Sequence, residues 1–261
     1  MFSVVLITYN REKQLFDALK SVEQQTYSPK EIILVNNGVK KYKISDFKLK
    51  RLFKKKIQII NNTKNLFQSV ARNKGSYIAK GEFLCFLDDD DKWEKNYLKK
   101  IKDKIKKDCC DLVITPIYRK KKIFKRAKNL SLDHFFLQNP GVTGSNIVIS
   151  KSKFLKLKGF DKNMEPSEDK DLGVKAILNH LKVSYSNSKV FFSSHENPRL
   201  TTNFRKLANG REQFYKKYSS LMNFKQRINN LYKINIYKIK SGQLSKIFIL
   251  LNLFVLNKLL N

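Results

Sequence analysis

The sequence predicts an α/β fold with a largely parallel central sheet, and two features of the chain support this prediction. In the first half, short apolar runs rich in β-branched residues alternate with amphipathic segments of helical period. Strands and helices that alternate at this spacing form βαβ units, in which the strands pair in parallel. Hydrophobic residues make up 41% of the 261 positions, which is enough to fill the core of one large domain.

Each element of the first half is marked by its own pattern. The opening run from Phe2 to Thr8 is apolar and β-branched, as in a buried strand, whereas Leu15, Leu19 and Val22 recur at helical intervals. The same two patterns then repeat. They predict strands at 2–8, 31–35, 57–60 and 82–87, and helices at 12–24, 67–79 and 94–107.

The second half is less regular. Strands are predicted at 112–117, 145–149 and 190–193, and a helix at 168–181. From residue 203 onward the period is helical, with one apolar stripe formed by Phe214, Tyr218, Leu221 and Met222. Residues 247–256 are almost wholly apolar but too few to span a bilayer, which takes about 20 residues. A helix lying on the membrane and a helix packed on the domain are the two interpretations of this segment.

The chain carries 54 basic and 22 acidic residues, a net charge of +32. Unless genome composition alone explains this charge, it indicates a polyanionic partner: nucleic acid, anionic lipid or phosphorylated glycolipid. Only nine of the basic residues are Arg, and Lys suits diffuse attraction better than the reading of bases. A basic nucleic-acid-binding protein is the alternative from another functional class. The sequence has no helix-turn-helix, zinc-finger or ribonucleoprotein motif, so we expect no nucleic-acid partner.

Cysteine usage and the start of the chain predict a cytoplasmic protein. The three cysteines, Cys85, Cys109 and Cys110, form neither a disulfide framework nor a zinc pattern. Met1 runs directly into the first predicted strand, without the basic and apolar regions of a signal peptide.

Four consecutive aspartates, residues 88–91, follow the predicted strand at 82–87. Like charges at this spacing repel one another unless a cation compensates them. Carboxylates are preferred ligands of Mg²⁺ and Mn²⁺, and an ion held here would neutralise charge on a diphosphate. The competing interpretation is a solvated loop that caps the helix beginning near Trp93, which explains one or two aspartates but not four.

Polar residues also follow the first two predicted strands, namely Thr8, Tyr9 and Asn10 after the first and Asn36 and Asn37 after the second. The carboxyl ends of parallel strands meet at one edge of the sheet, where ligands bind in α/β folds. We therefore predict that these residues and the aspartates line one crevice.

Two further positions are candidates for chemistry. Asp169 begins a predicted helix, where a carboxylate can remove the proton from an acceptor hydroxyl, although helix capping explains it equally well. His195 follows the predicted strand at 190–193 and is either a loop residue or a ligand of a metal or phosphate.

In their order and spacing, these segments resemble the family 2 glycosyltransferases, which have the GT-A fold, a Rossmann-like and mostly parallel central sheet flanked by helices. The resemblance covers roughly residues 1–202. It rests on residues 4–11, 21–27, 71–75, 79–83, 86–93, 144–146, 159–161 and 168–169. Each segment is weak alone, whereas their common order is specific.

The resemblance implies a role for each matching position. Asp169 is the implied general base, with Glu168 and Trp93 on the acceptor side. A divalent metal, Mn²⁺ or Mg²⁺, is implied at Asp88, Asp90 and His195. The implied nucleotide-sugar contacts are Thr8, Tyr9, Asn10, Arg11, Asn37, Arg72, Asp88 and Asp89.

One segment departs from the family pattern. Where the family has Asp-Asp-Gly-Ser or Asp-Asn-Gly, this chain has Asn36, Asn37 and Gly38. An Asn carbonyl can accept the hydrogen bond from uracil that the family Asp accepts, and its amide can donate to a base carbonyl. Nucleotide binding is therefore expected, while the preference for uridine stays open.

The resemblance leads to the following expectations. A GT-A catalytic domain spans 1–202, with a nucleotide-sugar half at 1–95 and an acceptor half at 96–202, and a basic helical extension follows at 203–261. The expected reaction is an inverting, metal-dependent transfer of a hexose or N-acetylhexosamine from a UDP-sugar to a lipopolysaccharide, capsule or lipid-linked oligosaccharide precursor. A polyprenyl-phosphate sugar synthase is the alternative. Basic segments 40–56 and 119–128, with the tail, are expected to contact the anionic inner face of the cell membrane.

Overall fold

The structure, a computed structural model, describes residues 1–119, 122–125, 128–164, 166–192 and 203–243. The predictions for His195 and for segment 247–256 fall outside the described residues. The strands are β1 Phe2–Thr8, β2 Glu31–Asn36, β3 Ile57–Asn61, β4 Phe83–Asp88, β5 Asp91–Trp93, β6 Leu112–Ile114, β7 Ile117–Arg119, β8 Lys122–Lys125, β9 Ile147–Ser150, β10 Val183–Tyr185 and β11 Val190–Phe192. The α-helices are α1 Glu12–Glu23, α2 Arg51–Lys54, α3 Gln68–Ile78, α4 Tyr97–Asp108, α5 Leu132–Leu137, α6 Lys151–Lys156, α7 Glu168–Leu178, α8 Phe204–Tyr218 and α9 Phe224–Lys240.

Seven strands form the main sheet, in the order β10-β6-β9-β4-β1-β2-β3. The neighbouring strands are parallel, except that β9 runs antiparallel to both β4 and β6. The predicted α/β fold with a largely parallel sheet is thus confirmed. A second sheet of four short strands, in the order β5-β11-β7-β8, lies outside this prediction.

The prediction of one continuous strand at 112–117 is wrong, because the structure divides this segment between the two sheets. Leu112–Ile114 pairs within the main sheet, and Ile117–Arg119 joins the small one. Pro116 stands between them, and proline has no N–H to donate to a continuous ladder. The helix predicted to reach residue 181 ends at Leu178, and His180 then adopts a positive φ of 53°.

The main sheet is buried on both faces. Alternate residues of β1 point to opposite sides, so that Val5 packs in one hydrophobic cluster and Val4 and Leu6 in the other. This explains why the strands read as continuous apolar runs, since a sheet covered by helices on both sides has no solvent face.

The C-terminal helices α8 and α9 pack on the domain. Phe214, Tyr218 and Met222 are buried in the same cluster as the β1 residue Val5, whereas Leu221 is 50% exposed and was wrongly placed on the apolar stripe. The Asn230 amide of α9 donates to the carbonyl of Phe136 in α5 at 2.7 Å. None of the helices within the described residues is both long enough and apolar enough to cross a membrane.

Candidate functional site

A cavity of about 920 Å³ opens at the carboxyl edge of the main sheet. The ends of β1 and β4 are adjacent there, with Ile7 paired to Asp88, and the end of β2 pairs Asn36 with Thr8. The predicted convergence of these strand ends is therefore observed. The predicted residues that line the cavity are Thr8, Tyr9, Arg11, Asn37, Asp88, Asp89 and Asp90.

Asp89 is held by the loop that follows β1. It is 4% exposed and accepts hydrogen bonds from the Thr8 hydroxyl at 2.7 Å and the Tyr9 backbone N–H at 3.2 Å. The Arg11 guanidinium lies 3.2 Å from Asp89 and 3.0 Å from Asp90. Burial raises the pKa of the Asp89 carboxyl to about 6, against the opposing effect of the Thr8 hydrogen bond and Arg11.

Asp88 pairs with a buried arginine. Arg72, on α3, is 2% exposed and donates from Nη2 to Asp88 Oδ1 at 2.7 Å and from Nη1 to Glu168 Oε1 at 3.0 Å. Although burial opposes the charge, these two carboxylates hold the pKa of Arg72 above its usual value. Gly144 leaves room for the guanidinium, because a Cβ there would lie 2.5 Å from Arg72 Nη2.

The aspartate cluster is therefore neutralised in part by the protein itself. Arg11 and Arg72 relieve the repulsion that we expected a metal ion to relieve. The capping interpretation does not apply, since α4 begins only at Tyr97 and Asp91 lies in β5.

Asp169 lies in the first turn of α7, next to the Glu168 that pairs with Arg72. It is half-buried, and its carboxylate accepts from the Lys170 backbone N–H at 2.6 Å and lies 3.5 Å from the Asn139 amide. Among the described residues, neither Asp169 nor Glu168 belongs to the cavity wall. Ion pairs from Glu168 through Arg72 to Asp88 thus connect the start of α7, which carries Asp169, with the aspartate cluster at residues 88–91.

Asparagines that follow β1 and β2 hold the adjoining loops through hydrogen bonds of their side-chain amides. Asn37 is 7% exposed, donates to the Leu66 carbonyl at 3.1 Å and accepts from the Asn62 amide at 2.7 Å. Asn10, which has a positive φ of 53°, accepts from the Val39 backbone N–H at 3.0 Å. Asn37 thus reaches the cavity, whereas Asn10 holds the loop behind it.

Trp93 packs against the start of α4. Its side chain is buried, with the residue 4% exposed, its ring stacks on Tyr97 with centroids 4.5 Å apart, and its indole N–H donates to the Ser145 carbonyl at 3.3 Å. The structure thus shows how the Trp93 ring packs, while its implied acceptor-side role stays a prediction.

Two carboxylates at the cavity are partly exposed, although each is paired with an arginine. Among the described residues, no group of three or more His, Cys, Asp and Glu side chains is arranged to hold an ion. However, Asp88 and Asp90 both line the cavity, with 29% and 25% of their side chains exposed. Mg²⁺ in nucleotide sites is commonly bound by one or two carboxylates, while phosphates and waters complete its coordination.

Two parts of the cavity wall were missed from the sequence. One is residues 65–68, the loop that leads into the first residue of α3. The other comes from the C-terminal helices and the residues that cap them: Asn203, Phe204, Arg205, Lys206, Lys240 and Ser241. No motif marks these residues, and only the packing of α8 and α9 brings them to the sheet edge.

The sequence matches a known family over more than half of the chain. Residues 3–161 match the family described as Glycosyl transferase family 2. The chain belongs to glycosyl transferase family 2. The resemblance inferred from the motifs is confirmed, and so is the GT-A type of fold.

Relatives of this family 2 chain come from several organisms. An uncharacterized glycosyltransferase of Methanocaldococcus jannaschii is 30% identical over 201 residues, which cover 70% of this chain and 66% of the relative. The amylovoran biosynthesis glycosyltransferase AmsB of Erwinia amylovora is 31% identical over 37% of this chain and 33% of its own length. The putative colanic acid glycosyl transferase WcaA of Escherichia coli is 32% identical over 38% of this chain and 35% of the relative.

A solved structure shares the fold of this family 2 chain. S. aureus TarS in complex with UDP-GlcNAc superposes with a TM-score of 0.60 over 89% of this chain and 80% of that chain, at 18% identity. At that identity the likeness concerns the fold alone.

Proposed function

We propose that this chain is a glycosyltransferase that moves a hexose or N-acetylhexosamine from a nucleotide-sugar, with UDP as the preferred nucleotide, to a hydroxyl of a surface-polysaccharide or glycolipid precursor. Family membership supports the reaction class. The names of the relatives support the acceptor class, since two of them concern amylovoran and colanic acid, and another is a putative teichuronic acid glycosyltransferase of Bacillus subtilis.

One observation carries the proposal: the cavity at the sheet edge combines a nucleotide-sized volume with hydrogen-bonding and charged groups from three strand ends. Its volume of about 920 Å³ lies in the upper range of small-molecule sites. Asn37 offers amide groups for a base, and Asp88 and Asp90 offer carboxylates. The TarS structure, which shares this fold, is a complex with UDP-GlcNAc, and this supports the choice of donor.

The proposed reaction is a single displacement with inversion. Asp169 removes the proton of the acceptor hydroxyl, so that the oxygen can attack the anomeric carbon of the sugar. Glu168 and Asp88 fix the Arg72 guanidinium between the donor and acceptor sides. Asp88 and Asp90 would hold a divalent ion, which supplies positive charge for the diphosphate when bound.

The membrane part of the proposal rests on charge. Exposed lysines crowd the segment that links β2 to β3, for example Lys48, Lys50 and Lys55. Each basic residue near an anionic surface contributes about 1 kcal/mol of attraction. We propose that this attraction holds the chain peripherally at an anionic membrane, and that residues 203–261 add to it as a basic helical extension of a catalytic region at 1–202.

A donor panel tests the function. Purified chain is incubated with UDP-, GDP-, CDP- and dTDP-sugars, Mn²⁺ or Mg²⁺, and a glycan or polyprenyl-phosphate acceptor, and release of nucleoside diphosphate is measured. Asp90→Asn should lose most turnover, while Asp103→Asn, an exposed site on α4, should not. Turnover only with polyprenyl phosphate would assign the chain to sugar-phosphate lipid synthesis. Absence of nucleotide-sugar turnover and of stabilisation by any nucleoside diphosphate would refute the proposal.

A further inference from the structure

The C-terminal helices contribute part of the cavity wall. Residues at the start of α8 and the end of α9 line the same cavity as Asp88 and Asp90. All of them lie beyond residue 161, where the family match ends, so the match assigns them no role.

Three of these residues are cations: Arg205, Lys206 and Lys240 are exposed side chains at the cavity. Within the described part of the chain, no carboxylate lies within ion-pair distance of any of the three. Other lysines of the same two helices are paired, since Lys217 contacts Asp161 and Asp171, and Lys238 contacts Glu212. The three cations at the cavity, unlike Lys217 and Lys238, thus keep their charge unpaired among the described residues and face the cavity.

Packing between α8 and α9 fixes the place of these cations. The Phe204 ring at the start of α8 stacks on Tyr237 near the end of α9, with centroids 6.2 Å apart. Lys240 Nζ lies 5.2 Å from the Phe204 ring centroid. Asn203 accepts from the Lys206 backbone N–H at 3.0 Å and so fixes the first turn of α8. The backbones that carry all three cations are thus held together before any ligand binds.

The charge balance of the cavity favours an anion. Four cationic side chains line it, Arg11 and the three from the C-terminal helices, against the three carboxylates of residues 88–90. Asp89 and Asp90 are already paired with Arg11, and Asp88 with Arg72. The positive charge at the C-terminal wall is left for a ligand, and Arg and Lys are the usual partners of phosphate oxygens.

We propose that Arg205, Lys206 and Lys240 form a diphosphate-binding subsite, so that the C-terminal helices complete the donor site. This inference rests on the proposed function. In the transfer, the bond between the anomeric carbon and the diphosphate oxygen breaks, and that oxygen keeps the electron pair. The acceptor oxygen bonds to the same carbon, and its proton passes to Asp169. The three cations stabilise the negative charge that develops on the departing nucleoside diphosphate.

Binding of uridine, UMP, UDP and inorganic pyrophosphate, measured by calorimetry at low salt, tests the subsite. Wild type is compared with the triple variant Arg205→Gln, Lys206→Gln, Lys240→Gln. The matched control, Lys216→Gln, Lys225→Gln, Arg227→Gln, removes three exposed charges from the same helices outside the cavity wall. The cavity variant should bind UDP and pyrophosphate roughly 10- to 100-fold more weakly and uridine within about twofold of wild type. Thermal melting checks that both variants are folded.

The outcomes separate this inference from the proposed function. If wild type binds UDP and the cavity variant binds it equally well, the subsite is refuted while the donor site stands. An equal loss in the matched control would show only general charge attraction and would also refute the subsite. If wild type binds neither pyrophosphate nor the diphosphates of uridine, guanosine, cytidine, adenosine and thymidine, both proposals fail.

Discussion

Arg72 Nη1 donates to Glu168 Oε1 at 3.0 Å, although 96 residues separate the two in the sequence. Through its Nη2 the same guanidinium reaches Asp88 at the end of β4. One buried cation thus connects the helix that carries Asp169 with the strand end that carries the aspartates. The relative position of α7 and the aspartate cluster thus depends on Arg72, for which the family resemblance implies a nucleotide contact.

Replacing this cation should destabilise the fold. Arg72→Met would leave Glu168 buried without its partner, and such uncompensated burial typically costs roughly 3–5 kcal/mol. Urea denaturation of the variant measures this loss in the free energy of unfolding. Arg51→Met, at an exposed position on α2, is the matched control and should change the stability by less than about 0.5 kcal/mol. Equal stability of the two variants would contradict the bridging role of Arg72.

Gly144 should matter for turnover because of its closeness to Arg72. The Cβ of Gly144→Ala would lie 2.5 Å from Nη2 and 2.7 Å from Cζ, so the guanidinium must shift. A displacement of about 1 Å at a reacting site can lower turnover by roughly 100-fold. The test is turnover in Gly144→Ala, Arg72→Lys and the double variant. We expect the double variant to lose less than the product of the single losses, since the shorter Lys does not meet the new methyl group.

If the loss of turnover in the double variant equals the product of the two single losses, positions 72 and 144 act independently, which would contradict this prediction. The folded state of each variant is checked by its far-UV circular dichroism.

The parts of the fold that could be predicted are those with local causes. Runs such as Phe2–Thr8 have the composition of a strand. Because the carboxyl ends of parallel strands meet at one sheet edge, Thr8 and Asp89 were predicted to lie together, and their 2.7 Å hydrogen bond confirms it. The roles that could not be predicted depend on long-range packing. Neither the Arg72–Glu168 pair nor the approach of Lys240 to the cavity has a signature in residue spacing.

Asn10 illustrates a second limit of the sequence. Its place in a nucleotide-loop motif predicts a ligand contact, which stays a prediction. Its backbone is left-handed, and its side-chain oxygen accepts from the Val39 N–H. Asn is one of the few residues that tolerate this conformation, so a structural requirement and a binding role predict the same residue type.

Lys170 should give the protein a measurable pH dependence of stability. Burial, together with Arg211 and Lys233, lowers its pKa to about 6, against the opposing charge of Asp169, and its Nζ lies 3.6 Å from the Phe214 ring centroid. Between pH 6 and its ordinary value of 10.5, the unfolded state binds the proton and the folded state does not. The free energy of unfolding should therefore rise with pH in this window, by at most about 1.4 kcal/mol per pH unit.

Lys170→Met removes this titration. The variant should be more stable than wild type at pH 7 and should show a flatter stability profile between pH 6 and 10, measured by denaturant unfolding. Lys216→Met, an exposed position on α8, should keep the wild-type slope. A Lys170→Met profile as steep as that of wild type would rule out Lys170 as its origin.

Attraction to anionic membranes should be sensitive to salt. We expect the chain to sediment with phosphatidylglycerol vesicles at low ionic strength and to be released near 1 M salt, where the Debye length falls to about 3 Å. Vesicles of pure phosphatidylcholine are the neutral control. Substituting Lys48, Lys50 and Lys55 by Gln should weaken vesicle binding, since these side chains are exposed. Binding that persists at high salt would show that apolar insertion, rather than charge, holds the chain at the surface.

Asp169→Asn should separate chemistry from donor binding. The amide keeps the size of the carboxylate but cannot take the acceptor proton, and loss of a general base typically lowers turnover by 10²- to 10⁴-fold. Asp169 lies outside the cavity wall formed by the described residues, so the affinity for UDP should stay within about twofold of wild type. Turnover is measured by nucleoside diphosphate release and affinity by calorimetry, with Asp103→Asn as the exposed control. Unchanged turnover would exclude Asp169 as the base, whereas a parallel loss of UDP affinity would indicate that it acts on the donor through Glu168 and Arg72.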